Sequence, residues 1–293
     1  MQQVQTAPVI PTASGLELPR HPPRYPFIGN LPQLRGRPFA QTLHQLGKLY
    51  GPLFEIRLPG TRFFVATTFE VAEDLCDEKR FSKIVGGPLK SLKRIVGDGL
   101  FTADSSDPNW SKAHNILLPA FSMKSMQNVF PKMRAVSLQL VEAWRERGED
   151  GVLVTDDFTR MTLDTIALCG FNYKFDSFLK TEMHPFIDAM NRGLKHSLRH
   201  VTKTKVQLRF DGKAERIFQA DCKLMFDLVD QLIEGRANGG SVQPPDMLSM
   251  MLEGVDRKTM GRMDIENIRS QLITFLIAGH ETTSGLLSFA CYF

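Results

Sequence analysis

The sequence predicts a mainly α-helical protein with a small β-sheet near the N-terminus. Apolar residues recur every three or four positions through most of the 293 residues, which is the spacing of helices that pack one face on a core. Two short runs typical of strands, LFEIRL and TRFFVATT, lie close together between residues 53 and 68. A composition of 42% hydrophobic and 23% charged residues is normal for a globular protein of this kind.

The N-terminal residues predict an extension followed by one domain. Residues 1–21 are polar and interrupted by proline, and they lack the continuous apolar stretch of a signal peptide or membrane anchor. A proline-dense segment, HPPRYPFIGNLPQLRGRP, leads into the first periodic stretch. We therefore expect a cytoplasmic protein with a polar extension over residues 1–21 and a single domain over residues 22–293.

The next elements are a helix, a hairpin and a second helix. Pro38 stands at a helix start and Gly51 just past its end, with apolar residues at helical spacing between them. Pro59 and Gly60 separate the two β-rich runs, which predicts a β-hairpin. The segment FEVAEDLCD returns to the helical pattern.

The remainder of the chain is predicted to be helical. One apolar stripe begins at Met133 and ends at Trp144, and another begins at Phe158 and ends at Cys169. The segment GRANGGSVQPPD, residues 235–246, is rich in Gly and Pro and predicts a surface connection between helices. Residues 272–293 are long enough to span a membrane, but the polar residues within them make insertion expensive.

Charge and cysteine content exclude several classes. Basic residues exceed acidic ones by 36 − 32 = 4, and they are scattered, so no nucleic-acid interface is expected. The four cysteines, Cys76, Cys169, Cys222 and Cys291, are far apart, which predicts neither a disulfide framework nor a zinc site.

The segment LITFLIAGHETTSG is the most informative stretch of the sequence. Its first half is the apolar spine of a buried helix, yet polar residues follow in succession. The run HETTS has Ser284 where the zinc-protease signature requires a second histidine, so that function is excluded. Thr282 can bond back to the carbonyl of Ala278, and Gly279 lacks a side chain beside it. Two alternatives remain: a bent core helix with a solvated Glu281, or a surface that a flat ligand approaches closely.

Several motifs together resemble the cytochrome P-450 family of heme-thiolate monooxygenases. AGHETTS is similar to the family's oxygen-activating I-helix motif, and PPRYPFIGNL to its proline-rich hinge. GDGLFT and NWSKAHNILLPAFS resemble its B-C loop and C helix, and MTLDTIALCGFNYKFDSF its E helix. The resemblance covers residues 22–293 and is strongest to self-sufficient fatty-acid hydroxylases that are fused to a diflavin reductase. It implies a cytochrome P-450 fold that is truncated within the I helix.

The resemblance assigns roles to four residues of the I-helix motif. Thr282 matches the threonine that helps to deliver protons during oxygen activation, and Glu281 matches its acidic neighbour. Ala278 and Gly279 match residues that lie against the distal face of the heme. The resemblance thus favours the second of the two alternatives.

Three further residues match positions that contact the heme propionates. Trp110 and His114 are four positions apart on one predicted helix, and both side chains can donate to a carboxylate. Most of the family has Arg at the position of His114. Lys83 matches a further propionate donor. From the residues alone, Trp110 would be a core aromatic and Lys83 a surface lysine.

The resemblance also implies an apolar substrate, with a long-chain fatty acid as the expected class. Phe101 matches the bulky residue that restricts which carbon reaches the iron. The apolar channel is expected to be lined by Leu89, Leu92, Val96 and Phe275, although such residues are more often core than pocket. Relatives hold the carboxylate with an Arg and a Tyr, which align here with Thr61 and Val65. Arg62 is adjacent and is expected to substitute.

The implied cofactors are heme b and, through a reductase partner or fused domain, FAD, FMN and NADPH. No cysteine here has the context of the family's iron ligand, so we expect this chain to lack that ligand and to be inactive alone. The alternative is a naturally truncated, non-catalytic protein that binds heme or lipid.

Overall fold

A computed structural model of the chain describes residues 19–36, 38–86, 88–148, 151–202, 211–239 and 242–293, and of residues 88 and 198–202 the backbone alone. Most of the predicted extension, residues 1–21, lies outside these ranges. The chain forms two compact units, Met1–Ser82 and Lys83–Phe293. The prediction of a single domain from residue 22 onward stays a prediction.

The described elements confirm the predicted fold class. The two strands are β1 (Leu53–Leu58) and β2 (Thr61–Ala66). The helices are α1 (Phe39–Tyr50), α2 (Phe69–Leu75), α3 (Pro88–Val96), α4 (Pro108–Leu117), α5 (Met123–Arg147), α6 (Val154–Phe171), α7 (Pro185–Thr202), α8 (Gly212–Gly239), α9 (Met247–Glu253) and α10 (Ile265–Tyr292). Short 3-10 helices occupy Leu31–Leu34, Leu118–Phe121 and Ser177–Leu179.

The first unit is built on the hairpin. Strands β1 and β2 pair antiparallel, and Arg57 lies opposite Arg62 in the register. Gly60 supplies the positive φ that the turn requires. Phe54 and Ile56, both 0% exposed, alternate on the face of β1 that packs with α1. The predicted first helix and hairpin are therefore confirmed.

The second unit centres on the helix pair α6 and α10. These helices make the most extensive contact among the described elements. Their facing side chains are fully buried and belong to the main core cluster, as shown by Leu163, Ala167, Leu272, Ile273 and Leu276 at 0% exposure. The apolar half of LITFLIAGHETTSG is thus the core spine that the sequence predicts.

Aspartate side chains fix where two helices of this unit, α4 and α10, begin. The side chain of Asp107 accepts from Asn109 N at the start of α4, and that of Asp264 accepts from Asn267 N at the start of α10. Each bond satisfies one of the backbone N–H groups that a helix start leaves unpaired. The helices that carry the candidate residues are therefore anchored at their first turns.

The chain departs from the prediction at residues 235–246. The sequence predicts a surface connection from Gly235 onward, whereas α8 continues through Gly239. Arg236 explains the difference, because it donates to both carboxylate oxygens of Asp246 at 2.7 Å and to the carbonyl of Phe171 at 2.9 Å. These buried bonds offset the helix penalty of the nearby glycines, about 1 kcal/mol each.

Two features are absent from the part of the chain that the structure describes. No helix there has both the length and the apolar character that a membrane span needs. The same residues bring together no group of three or more His, Cys, Asp or Glu side chains that could hold a metal ion. The four cysteines are free thiols.

Candidate functional site

The polar run of α10 divides between two faces of the helix. His280 and Ser284, four residues apart, are buried. Glu281, Thr282 and Thr283 are exposed. Because residues four apart lie on one helix face, the run serves both the packed and the open side of α10. The polar run is therefore neither wholly buried nor wholly exposed: His280 and Ser284 pack inward, whereas Glu281, Thr282 and Thr283 face outward.

The buried face is tied to α6. The hydroxyl of Thr162 donates to the carbonyl oxygen of His280 at 3.0 Å. A side chain at Gly279 would place its Cβ 2.7 Å from Cγ1 of Ile166. The absence of a side chain at Gly279 therefore allows α6 to pack closely against α10. The predicted contact of Gly279 with a cofactor stays a prediction.

His280 is a neutral structural residue. Its Nδ1 lies 2.6 Å from the carbonyl oxygen of Leu276, and because a carbonyl only accepts, Nδ1 carries the proton. Burial lowers the pKa of His280, against smaller raising effects of the Leu276 carbonyl and Glu281. The imidazole is consequently uncharged near neutral pH.

The open face carries the predicted catalytic pair. Ala278, Glu281 and Thr282 are all exposed. The Thr282 hydroxyl donates to the carbonyl of Ala278 at 2.9 Å, which confirms the bond predicted from the sequence. With its hydrogen engaged, the Thr282 oxygen presents lone pairs outward as an acceptor. This face combines a small side chain, a hydroxyl and a carboxylate on neighbouring turns.

The predicted propionate donors come together at the carbonyl of Leu100. Nζ of Lys83 donates to this oxygen at 2.7 Å, and Nε1 of Trp110 donates to it at 3.0 Å. Lys83 also donates to the carbonyl of Ala103 at 2.6 Å. The ring of His114 stacks on Trp110 with centroids 5.0 Å apart, so the two side chains share one face of α4 as predicted.

The chemistry of this donor set fits an anionic ligand. Burial lowers the pKa of Lys83, and a nearby Asp104 only partly opposes the effect. The hydrogen bonds that Lys83 makes go to neutral carbonyl oxygens and use two of its three N–H groups. A partly buried ammonium in such surroundings is stabilised by a negative charge. The remaining N–H group of Lys83 therefore fits a carboxylate of a heme, whereas the single N–H group of Trp110 already donates to the Leu100 carbonyl.

The predicted substrate residues are not all open surface. Phe101 is 52% exposed, and Phe275 is partly buried with its ring 6.0 Å from that of Phe121. Leu89 and Leu92 are partly buried on α3, and Leu92 packs against the core. These positions leave surface that a substrate could contact.

Two other predicted substrate residues are either buried or in the first unit. Val96 is a core side chain at 5% exposure, since α3 packs this face inward, so it offers little surface to a ligand. Arg62 is exposed on β2 and belongs to the first unit. Their roles toward a substrate stay predictions.

Sequence reasoning missed the residues that hold the loop of Phe101. Gln271 is 0% exposed, and its Oε1 accepts from the backbone N–H of Leu100 at 2.9 Å. Asn267 donates to the carbonyl of Asp98 at 3.1 Å. The signal was present in the sequence as an amide within an apolar helix spine, where an unpartnered polar group is costly.

The structure thus presents an open turn of α10 with small and polar side chains and, separately, a cluster of N–H donors around Lys83 that suits an anionic group. A family model described as Cytochrome P450 matches residues 19–293. The chain therefore belongs to the cytochrome P450 family, whose cofactor is heme.

Named relatives support this assignment. The chain is 43% identical over 273 residues to the bifunctional cytochrome P450/NADPH–P450 reductase of Bacillus cereus, covering 93% of this chain and 26% of that protein. It is 43% identical over 267 residues to the bifunctional cytochrome P450/NADPH–P450 reductase 1 of Bacillus subtilis, covering 91% of this chain and 25% of that protein. A self-sufficient cytochrome P450 monooxygenase of Phanerodontia chrysosporium is 37% identical over 277 residues, covering 93% and 26%. The chain spans about a quarter of the length of these relatives.

Proposed function

We propose that this chain supplies the distal side of a heme-dependent monooxygenase, which inserts one oxygen atom of O2 into a C–H bond of an apolar substrate. The observation that carries the proposal is the pairing of the open Ala278–Thr282 turn with the Lys83 and Trp110 donors in one unit. When bound, heme supplies the oxidising chemistry. Lys83 and His114 would hold its propionates, and Trp110 would join them only by exchanging its bond to the Leu100 carbonyl, since its side chain has a single N–H group.

The exposed residues of α10 have proton-handling roles in this proposal. Thr282 is fixed by its bond to Ala278, so its Oγ1 is placed to accept a hydrogen bond from a water molecule or another proton donor on the open face. Glu281, one residue earlier and also exposed, can hold a proton from solvent. The small side chain of Ala278 would let a flat cofactor approach this turn closely.

The electron supply follows from the relatives. Proteins similar to this chain are named as fusions with an NADPH–P450 reductase. We infer that electrons come from NADPH through FAD and FMN of a diflavin reductase, as a fused domain or a partner, in the cytoplasm.

The thiolate ligand of the iron comes from outside these 293 residues in this proposal. Burial raises the pKa of the Cys222 thiol to about 11 and also raises that of Cys169, so both stay protonated near neutral pH. Cys291 lies on α10 itself, nine residues beyond Thr282. Because none of the four cysteines, Cys76 included, has the sequence context of the family's iron ligand, this chain alone is expected to be inactive.

Thr282→Ala tests the proton-handling role, with Thr283→Ala as the matched control because both hydroxyls are exposed on neighbouring positions. In the intact natural protein, Thr282→Ala should lower product formed per NADPH consumed by about tenfold or more, since positioned proton transfer contributes on the order of 10²-fold. Thr283→Ala should leave the ratio unchanged. Equal ratios for the two variants would refute the role of Thr282.

A long-chain fatty acid is the substrate class that we propose, anchored by Arg62. Arg62→Met should weaken the binding of a fatty acid but not that of its methyl ester. Arg57→Met is the control, because Arg57 lies directly opposite on the hairpin and pairs with Glu55 at 3.2 Å. Binding is measured as the substrate-induced spin-state shift of the heme. If acid and ester respond alike to Arg62→Met, the carboxylate anchor lies elsewhere.

A second function, non-catalytic binding of heme or lipid, is favoured by one observation. Leu286, Phe289 and Tyr292 on α10 are 69%, 67% and 81% exposed, which forms an apolar surface. A natural protein that binds fatty-acid vesicles but gives neither the carbon-monoxide spectrum of a thiolate-bound heme nor an oxidised product would favour this function.

A further inference from the structure

Gln271 is a buried amide whose partners lie far away in sequence. It is 0% exposed between apolar neighbours of the α10 spine. Its Oε1 accepts from the backbone N–H of Leu100 at 2.9 Å, across 171 positions of sequence, and its Nε2 donates to Oδ1 of Asn267 at 3.3 Å. A buried amide satisfied in this way holds a defined piece of backbone.

That piece of backbone is the Phe101 loop, residues 97–103. Asn267 donates to the carbonyl of Asp98 at 3.1 Å, and Thr102 Oγ1 donates to the carbonyl of Gly97 at 2.6 Å within the loop. A Cβ at Gly97 or Gly99 would overlap Ser270 or Thr274 of α10, so the loop lies directly on the helix. Phe101 is at the tip of this loop and is 52% exposed.

Leu100 is held on both of its backbone sides. Its N–H bonds to Gln271, whereas its carbonyl oxygen accepts from Lys83 and Trp110. Because the peptide group is planar, fixing the Leu100 carbonyl also fixes the N and Cα atoms of Phe101. The position of the Phe101 ring therefore depends on both anchors.

Gln271 also lies on the stripe that leads to the candidate catalytic residues. Gln271, Phe275, Ala278 and Thr282 are at i, i+4, i+7 and i+11, which places them along one face of α10. With a rise of about 1.5 Å per residue, Ala278 is about 10 Å and Thr282 about 16 Å along the axis from the loop anchor. One rigid helix thus carries both the anchor of Phe101 and the proton-handling turn.

We propose that Gln271 is a positioning residue that determines which substrate carbon is oxidised, by fixing Phe101 through the N–H of Leu100. The inference rests on the proposed monooxygenase function. Gln271 touches neither substrate nor cofactor in this role, so it acts through Phe101 alone.

The first test does not need the cofactor. Gln271→Met keeps the side-chain length and removes the acceptor, and Thr274→Val is the matched control, because Thr274 packs on the loop but bonds only to Ser270 O of its own helix. Amide hydrogen exchange of residues 97–103 in the intact, cofactor-free protein should accelerate about two- to tenfold in Gln271→Met, the factor that one neutral hydrogen bond supplies. Thr274→Val should exchange like the wild type.

The second test measures the distribution of oxidised positions with a saturated fatty acid in the heme-loaded protein. Gln271→Met should broaden the distribution, whereas Thr274→Val should leave it unchanged. Phe101→Ala should also change the distribution, and the double variant should match Phe101→Ala alone. If Gln271→Met does not fold, Gln271→Asn takes its place in each comparison. Its side chain is one methylene shorter, so the acceptor no longer reaches the N–H of Leu100.

The outcomes separate this inference from the proposed function. Unchanged exchange in Gln271→Met, an unchanged product distribution, or additive effects in the double variant would each overturn the positioning role. If the wild type takes up no heme or oxidises nothing, the proposed function has failed and the inference fails with it. Heme uptake and oxidation by the wild type identify this case, and the exchange data then still show whether Gln271 holds the loop.

Discussion

The hydroxyl of Thr162 donates to the carbonyl oxygen of His280 at 3.0 Å, from the middle of α6 to the polar run of α10. The single hydrogen of this hydroxyl is shared with the carbonyl of Phe158 in α6, which lies 2.8 Å from the same oxygen. This contact lies one residue from Gly279, where a side chain would overlap Ile166 of α6. The turn that carries Ala278 and Thr282 is therefore backed by a tightly packed helix, and its open face cannot rotate without breaking that packing.

Gly279→Ala should destabilise the protein because its Cβ would lie 2.7 Å from Cγ1 and 3.0 Å from Cβ of Ile166, atoms that cannot swing away. Overpacking of this kind costs about 1–3 kcal/mol. Gly285→Ala is the control on the same helix, since a Cβ there meets nothing within 4 Å and gains only helix propensity. The free energy of unfolding from denaturant titration should be about 1–3 kcal/mol lower for Gly279→Ala than for Gly285→Ala. Equal values would contradict the close approach.

His280 should make stability fall in mild acid. Its pKa in the folded state is lowered from 6.5 by burial, so below about pH 6.5 the unfolded chain binds a proton that the folded chain resists. The burial of the neutral His280 ring therefore costs no stability above about pH 6.5. The protein loses stability as the pH falls from there toward the lowered pKa of His280. His280→Gln should remove this component from the pH dependence of unfolding between about pH 7 and 5. Parallel pH profiles of the two proteins would show that His280 is not buried as a neutral ring.

The sequence predicts correctly those elements that depend on neighbouring residues, such as the ends of α1 and the hairpin turn. Pro38 and Gly51 bracket α1 as expected, and Pro59 and Gly60 form the hairpin turn. The i to i+4 bond from Thr282 also follows from neighbouring residues. Each of these features is decided within a few positions of sequence, where turn chemistry and helix geometry are sufficient.

The remaining features depend on contacts between distant residues. Gln271 meets Leu100 across 171 positions, and no periodicity shows which loop a buried amide will hold. The family resemblance assigns Gly279 a cofactor contact, yet only the packing of α6 shows which side of the helix its missing side chain faces. The extension of α8 past Gly235 likewise depends on the ion pair between Arg236 and Asp246.

Arg236→Met should be strongly destabilising. The side chains of Arg236 and Asp246 are 10% and 3% exposed, and removing the cation would leave a buried carboxylate unpaired, at a cost of about 3–5 kcal/mol. Arg269→Met is the control, because its ion pair with Asp230 is about one third exposed and such pairs contribute roughly 1 kcal/mol or less. Denaturant unfolding of both variants measures the difference, and similar losses would contradict the burial of the Arg236 pair.

The same pair predicts a pH signature. Burial would raise the pKa of Asp246, but bonds from Arg236 and Ser249 outweigh it and lower the pKa below 3.8. The stability that the pair contributes is therefore present above about pH 3.8 and is lost as pH falls through the lowered value. The difference in unfolding free energy between wild type and Arg236→Met should shrink in that acidic range. A constant difference would show that Asp246 is not the ionised partner.

Lys83→Met should weaken heme binding, because the variant keeps the aliphatic stem but removes the ammonium that lies over Trp110, 5.9 Å from its ring centroid. A charge-assisted hydrogen bond contributes about 1.5–3 kcal/mol, so heme dissociation from the intact protein should accelerate about ten- to hundredfold. Lys112→Met is the control, since this lysine lies on α4 but donates to Asn109 at 3.1 Å. The rate is measured by transfer of heme to an acceptor protein. Equal rates in the two variants would mean that Lys83 supports the Phe101 loop alone, through the Leu100 carbonyl, and does not bind the cofactor.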